Sequence, residues 1–129
     1  MMIADKPRGT LTLRISAMPA DTNANGDIFG GWVMARMDQA GGIAAVELAQ
    51  GRVVTVKVDA MHFIRPMKVG DVLCVYTDVE KIGTTSLTLT IEAWAQRFQT
   101  RDVMEKVTQA TFIFVAVDDS GKPRVVPRS

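Results

Sequence analysis

The residues best suited to chemistry lie between Asn23 and Gly51, where the polar turn Asn23-Ala24-Asn25-Gly26-Asp27 leads into an apolar helical stretch with a carboxylate, Asp38, in its middle. An ionised Asp in an apolar helix costs free energy to bury unless a partner or a reaction uses it. Helical spacing puts Gly31, Ala35 and Asp38 on one face. Two readings of Asp38 follow: a general base or nucleophile activated by partial burial, or a carboxylate ion-paired with a basic residue such as Arg14 or Arg65. Gly30 and Gly31 open the helix, where unpaired backbone N–H groups and the positive dipole end can receive a developing oxyanion. The same pair can equally serve only to turn the loop into the helix. Asn23 and Asn25 can orient a water or a carbonyl, or cap their own turn. Farther on, Gly83-Thr84-Thr85-Ser86 is a hydroxyl-rich turn that, with Arg65, Lys68 and Lys81, can cradle phosphates or remain a solvated hairpin turn. The one histidine, His62, follows a strand-like run with no cluster beside it and reads as structural. Metal-ligand spacings, a nucleophilic serine motif and nucleotide phosphate loops are all missing, so no metal or cofactor is expected.

Those groups must be placed by the elements around them. Leu11, Leu13, Ile15 and Ala17 alternate with Thr12, Arg14 and Ser16, which predicts a half-buried strand over Thr10 to Ala17. Met18 and Pro19 end it, and the polar run through Asp27 is a loop. From Gly30 to Gln50 the residues Val33, Met37, Ala40, Ala44 and Leu48 fall at helical spacing, with Gly51 as the stop. So few positions are polar that the helix should be largely enclosed. Gly41 and Gly42 each cost roughly 1 kcal/mol in a helix interior, which predicts close approach by another backbone or a ligand beside Asp38. Four strand-like runs follow: Arg52 to Phe63, Val72 to Val79, Ser86 to Gln96 and Val107 to Val117. The last is apolar on both faces, as suits a central strand. Strands in succession favour hairpin-linked antiparallel pairing, with the helix lying across the sheet, an α+β class. One helix covers one face only. With Trp94, Phe112 or Phe114 pointing elsewhere, apolar surface would stay exposed in a monomer, so a homo-oligomer, at least a dimer, is expected.

At 129 residues the chain suits a single domain over 1–129, long enough to bury roughly two thirds of its unfolded surface. Fifteen Lys and Arg balance fourteen Asp and Glu, for a net charge of +1, which argues against holding nucleic acid by bulk electrostatics. Cys74 is the one cysteine, so an internal disulfide is excluded. It lies in an alternating apolar run and reads as core. With neither a signal-peptide pattern nor an apolar run of about 18 residues, no membrane partner and a cytoplasmic setting are expected.

The run from Ala17 to Trp32, followed by Met37-Asp38 and Gly41-Gly42, resembles the hotdog-fold acyl-CoA thioesterases of the YciA type. The similarity continues through Gly51-Arg52-Val53-Val54-Thr55, Phe63-Ile64-Arg65-Pro66, Val69-Gly70-Asp71 and Phe114-Val115-Ala116-Val117-Asp118, nearly the whole chain. The resemblance implies a five-stranded antiparallel sheet around one long helix, with dimers carrying two interface sites and commonly three dimers in a hexamer. It implies hydrolysis of an acyl-CoA thioester, with Asp38 as the catalytic carboxylate, Gly30 and Gly31 polarising the thioester carbonyl, and Asn23 reaching in from the facing subunit. By the same likeness Arg65 and the turn Gly83, Thr84, Thr85, Ser86 would contact the coenzyme A phosphates. Two alternatives remain. One is a non-catalytic acyl-CoA-binding or sensing protein on the same fold. The other is a hotdog dehydratase, which would want a histidine within Asn23 to Gly42, where none stands.

Overall fold

The computed structural model describes residues 6–100 and 102–128. In chain order the elements are β1 (Thr10–Ser16), a short 3-10 turn (Pro19–Asp21), α1 (Gly30–Ala49), β2 (Val53–Asp59), β3 (Val72–Ile82), β4 (Ser86–Gln96) and β5 (Met104–Ala116). They build one five-stranded sheet in the order β1-β3-β4-β5-β2, every neighbouring pair antiparallel. This is the architecture that the resemblance implied.

Hairpins join β3 to β4 and β4 to β5, as strand succession predicts, whereas β2 does not pair with β3. It lies at the far edge beside β5, with Val53 opposite Ala116 and Val58 opposite Phe112. The cause is the segment after it. Ala60 takes a left-handed φ of 57°, which ends the strand before the expected Phe63, and residues 60–71 are longer than the roughly two to five of a hairpin loop. That segment instead turns back, with the Ile64 N–H donating to the Val107 carbonyl and the Ile28 N–H to the Met67 carbonyl.

The alternation in β4 is realised in burial: Leu87, Leu89, Ile91, Ala93 and Ala95 are fully buried and face α1. From the helix come Val33, Met37, Ala40, Gly41, Ala45 and Ala49. Gly41 is required here, because a Cβ would stand 2.5 Å from Ile91 Cδ1 and 2.7 Å from Phe114 Cζ. It lets the helix sit down on the sheet. The sequence reading placed that space beside Asp38, but only Gly42 faces open space. The helix ends at Ala49, one residue earlier than expected, and Gln50 rather than Gly51 caps it in the left-handed region at φ 53°.

Enclosure of α1 is therefore one-sided: Met34, Ile43 and Val46 are each about 40% exposed. Trp94, Phe112 and Phe114, expected to leave apolar surface uncovered, are all buried. The Phe112 and Phe114 rings stack at 6.2 Å, and the Trp94 indole donates to Glu92 at 2.8 Å. Apolar surface is uncovered instead on α1, on edge strand β2 through Val54, Val56 and Val58, and at loop residues such as Phe29, Ile64 and Phe98. Cys74 is buried, as its alternation predicts.

Candidate active site

The loop before α1 is built around one side chain. Asn23 Oδ1 accepts the N–H groups of Asn25 at 2.9 Å and Asp27 at 3.2 Å, while the Asn23 N–H donates to the Asp27 carbonyl at 2.7 Å. Gly26, with φ 83°, supplies the left-handed residue that this turn needs. The amide oxygen of Asn23 thus caps its own turn, and its amide nitrogen has no partner among the described residues. Lys68 pairs with Asp27 and stitches the loop to the segment before β3.

At the start of α1, Phe29 offers no side-chain cap and no acidic residue occupies the first turn. The Trp32 and Val33 N–H groups return to the Phe29 carbonyl, which leaves those of Gly30 and Gly31 unclaimed among the described bonds. Positive dipole and free donors meet there without compensation. A cavity of about 320 Å³ opens beside them, lined by Asn23, Gly30, Val33, Phe63, Arg65 and Met67 among others. The Phe63 ring lies over Gly30, where a Cβ would come within 3.3 Å of it. Arg65 is held at the cavity wall by the Lys106 carbonyl, 2.8 Å from Nη1, and by Glu105, 3.6 Å from Nε.

Asp38 stands two turns along the helix, half-buried. The Thr55 hydroxyl on β2 donates to its Oδ1 at 2.6 Å. Neither proposed cation pairs with it: Arg14 bonds Gln96, Arg65 is engaged as above, and Arg36 lies over the Trp32 ring. A neutral hydroxyl orients one carboxylate oxygen and leaves the other without a partner among the described residues.

Within one chain these groups are only partly assembled. Asn23, Gly30 and Arg65 share the cavity, Asp38 and Gly31 are outside its lining, and the turn Gly83 to Ser86 is anchored elsewhere. Its Thr84 and Thr85 carbonyls accept the N–H groups of Val126 and Ala116, and Arg128 donates to the Gly83 carbonyl at 2.7 Å. Of the cations expected near that turn, Lys68 and Arg65 are committed to the loop and cavity. His62 has an exposed side chain, and its carbonyl accepts the Thr108 hydroxyl at 2.7 Å.

The model of the thioesterase superfamily matches residues 25–99. The chain belongs to that superfamily. Its matched span contains Gly30, Gly31, Asp38, Thr55, Arg65 and the Gly83 to Ser86 turn, and begins just after Asn23. Among relatives of this thioesterase-superfamily chain, the acyl-CoA thioester hydrolase YciA of Salmonella typhimurium is 55% identical over 123 residues, spanning 94% of this chain and 92% of the relative. A hexameric, broad-specificity acyl-coenzyme A thioesterase superposes with a TM-score of 0.91 at 49% identity, covering 97% of this chain and 86% of that one. An acyl-CoA hydrolase from Staphylococcus aureus, solved with butyryl coenzyme A and coenzyme A, gives a TM-score of 0.81 at 32% identity over 89% of this chain and 70% of that one. The S. aureus enzyme has also been solved as an Asp-to-Ala and an Asn-to-Ala variant, the two positions separated along that chain by the same interval as Asn23 and Asp38.

Sequence reasoning on this superfamily member missed Thr55. Thr55 reads as an ordinary polar position between two valines, and only the lateral placement of β2 brings it against the helix. The periodicity of α1 does contain the correction for Gly41, which lies one turn after the buried Met37 and so faces the sheet.

Proposed function

We propose that the protein hydrolyses acyl-CoA thioesters to the free acid and coenzyme A. The observation that carries this reading is Asp38: a carboxylate on the uncovered face of α1, hydrogen-bonded by Thr55 at 2.6 Å and, among the described residues, paired with no cation. In the hydrolysis, oxygen from water bonds to the thioester carbonyl carbon, the C–S bond breaks, and a proton ends on the departing thiolate. Asp38 drives it either as general base on the water or as nucleophile through a mixed anhydride. The free N–H groups of Gly30 and Gly31 receive the carbonyl oxygen as it becomes anionic. Base and oxyanion site both come from the chain, so the reading assigns no metal or cofactor beyond the substrate's own coenzyme A.

The functional unit in this reading is a dimer, and three dimers form the hexamer. Its support is the separation of Asp38 from the cavity of Asn23 and Gly30 within one chain, together with the exposed valines of β2 and the exposed Met34, Ile43 and Val46 of α1. Covering that surface with a second copy brings an Asn23 amide nitrogen, unpartnered here, to an Asp38 from the other chain. Arg65 takes a coenzyme A phosphate at the cavity wall, and the hydroxyls of Thr84, Thr85 and Ser86 with the Gly83 turn take another. A cytoplasmic setting, with neither membrane nor nucleic acid as a partner, completes the reading.

Asp38→Asn tests it. The amide preserves the shape and should leave folding and coenzyme A binding intact while thiol release falls by about 10²- to 10⁴-fold. Hydrolysis near the wild-type rate by that variant across short, medium, long and aromatic acyl-CoAs would sink the assignment. Saturable acyl-CoA binding by the wild type with no thiol release would favour the sensing protein instead.

A further inference from the structure

Arg65 is exposed on the cavity wall, yet it stands at the end of a chain of charges that begins in the interior. Asp71 is 3% exposed. Its carboxylate accepts the Phe98 N–H at 2.9 Å, the Lys68 N–H at 3.0 Å and Arg97 Nη1 at 2.8 Å. Arg97 also donates from Nη1 to the Pro66 carbonyl at 3.0 Å and from Nε to Glu105 Oε1 at 2.7 Å. Burial opposes the Arg97 cation, but the Glu105 and Asp71 carboxylates outweigh it and raise its pKa. The second oxygen of Glu105 lies 3.6 Å from Arg65 Nε. Arg97 therefore grips the 65–66 segment twice, through the main chain at Pro66 and through Glu105 beneath the Arg65 guanidinium.

We infer that Glu105, tethered through Arg97 to the buried Asp71, is a positioning residue that holds Arg65 ready for the phosphate-bearing end of the thioester substrate. The inference rests on the reading of Arg65 as a coenzyme A contact. A long exposed arginine loses rotamer freedom when it is fixed on an anion, and prior fixation removes that loss from the binding step. Glu105 lies closer to Arg97 than to Arg65, so its charge is largely committed to Arg97. It orients Arg65 without neutralising it, and the remaining guanidinium donors stay available to a phosphate.

The experiment measures KM and kcat by thiol release for an acyl-CoA and for the matching acyl-pantetheine, which lacks the phosphates. Arg65→Ala should raise KM for the acyl-CoA about tenfold, the loss of one charge-assisted contact, and leave acyl-pantetheine unchanged. Glu105→Ala should raise the same KM about three- to fivefold, with kcat carrying none of the loss, and should have no further effect in the Arg65→Ala background. Glu105→Gln, which keeps the shape and one acceptor for Arg97, should show a smaller rise in the same direction. If Arg65→Ala raises KM while Glu105→Ala leaves it unchanged or lowers it, the positioning role is overturned and the Arg65 contact stands. If Arg65→Ala leaves KM unchanged, the contact itself fails and the positioning role fails with it. Equal rises for acyl-CoA and acyl-pantetheine in Glu105→Ala would show a general structural effect and also overturn the inference.

Discussion

The two faces of α1 obey different rules. Toward the sheet it presents Val33, Met37, Ala40, Gly41 and Ala45, all buried, and no polar side chain. Away from the sheet it presents Met34, Ala35, Asp38, Gly42, Ile43 and Val46, an apolar patch around one carboxylate that is left largely uncovered, with the exposed Gln39 and Glu47 beside it. The first face is closed by the chain itself and serves stability. The second is left uncovered by the described residues of the chain, and Asp38 stands there. A carboxylate in the middle of an apolar helix is therefore resolved by asymmetry: the charge escapes full burial, and in the proposed reading substrate and a second copy cover the surface around it.

The largest expected effect breaks the comparison at the uncovered face. Asn23→Ala and Asp38→Asn should each be nearly inactive alone, but equal amounts mixed through denaturation and refolding should regain about a quarter of wild-type turnover if each site takes one residue from each copy of a dimer. Half of the randomly formed dimers are then hybrids, and each hybrid holds one intact site of two. No recovery in mixed samples that assemble normally would confine both residues to one chain.

On the covered face, Gly41→Ala should lower stability by about 1–2 kcal/mol. The added methyl meets Ile91 and Phe114, and overpacking of roughly 1–3 kcal/mol outweighs the gain of about 1 kcal/mol in helix propensity. Urea denaturation reads this, and an unchanged midpoint would mean that the helix can lift from the sheet at little cost. Thr55→Val then tests what holds the carboxylate. It keeps the β-branched shape, removes the hydroxyl, and should reduce kcat about tenfold with the fold unchanged, since one modest hydrogen bond of about 1.4 kcal/mol is lost. An unaltered kcat would leave Asp38 oriented by other groups.

Much of this was legible in the sequence, and the failures share a cause. The strand before the loop, the helix and β4 follow from period alone, because one face of each meets the same core along its whole length. Asp38 was visible as a conflict between a residue and its surroundings. What period cannot convey is which element stands beside which. β2 was expected next to β3 and lies next to β5; the error hid Thr55 from Asp38 and sent the exposed valines to the wrong ledger of surface. The aromatic side chains expected to stay wet are covered for the same reason, since the strands that flank them were not known. The separation of Asn23 from Asp38 within one chain is a further step removed, because it depends on where the sheet ends.

The smallest effect sharpens the contrast most, because Gly42 differs from Gly41 by one position and faces the other way. Nothing stands within 4 Å of a Cβ built there, so within the chain Gly42→Ala brings only the helix-propensity gain, about 0.5–1 kcal/mol of added stability in urea. The methyl also enters the space beside Asp38, and for that reason KM for acyl-CoAs should rise while the fold strengthens. The two glycine variants would then move stability in opposite directions from adjacent positions. A loss of stability in Gly42→Ala would show instead that a second copy approaches α1 within the width of a methyl group, and that the outward face is packed as tightly in the assembly as the inward face is in the chain.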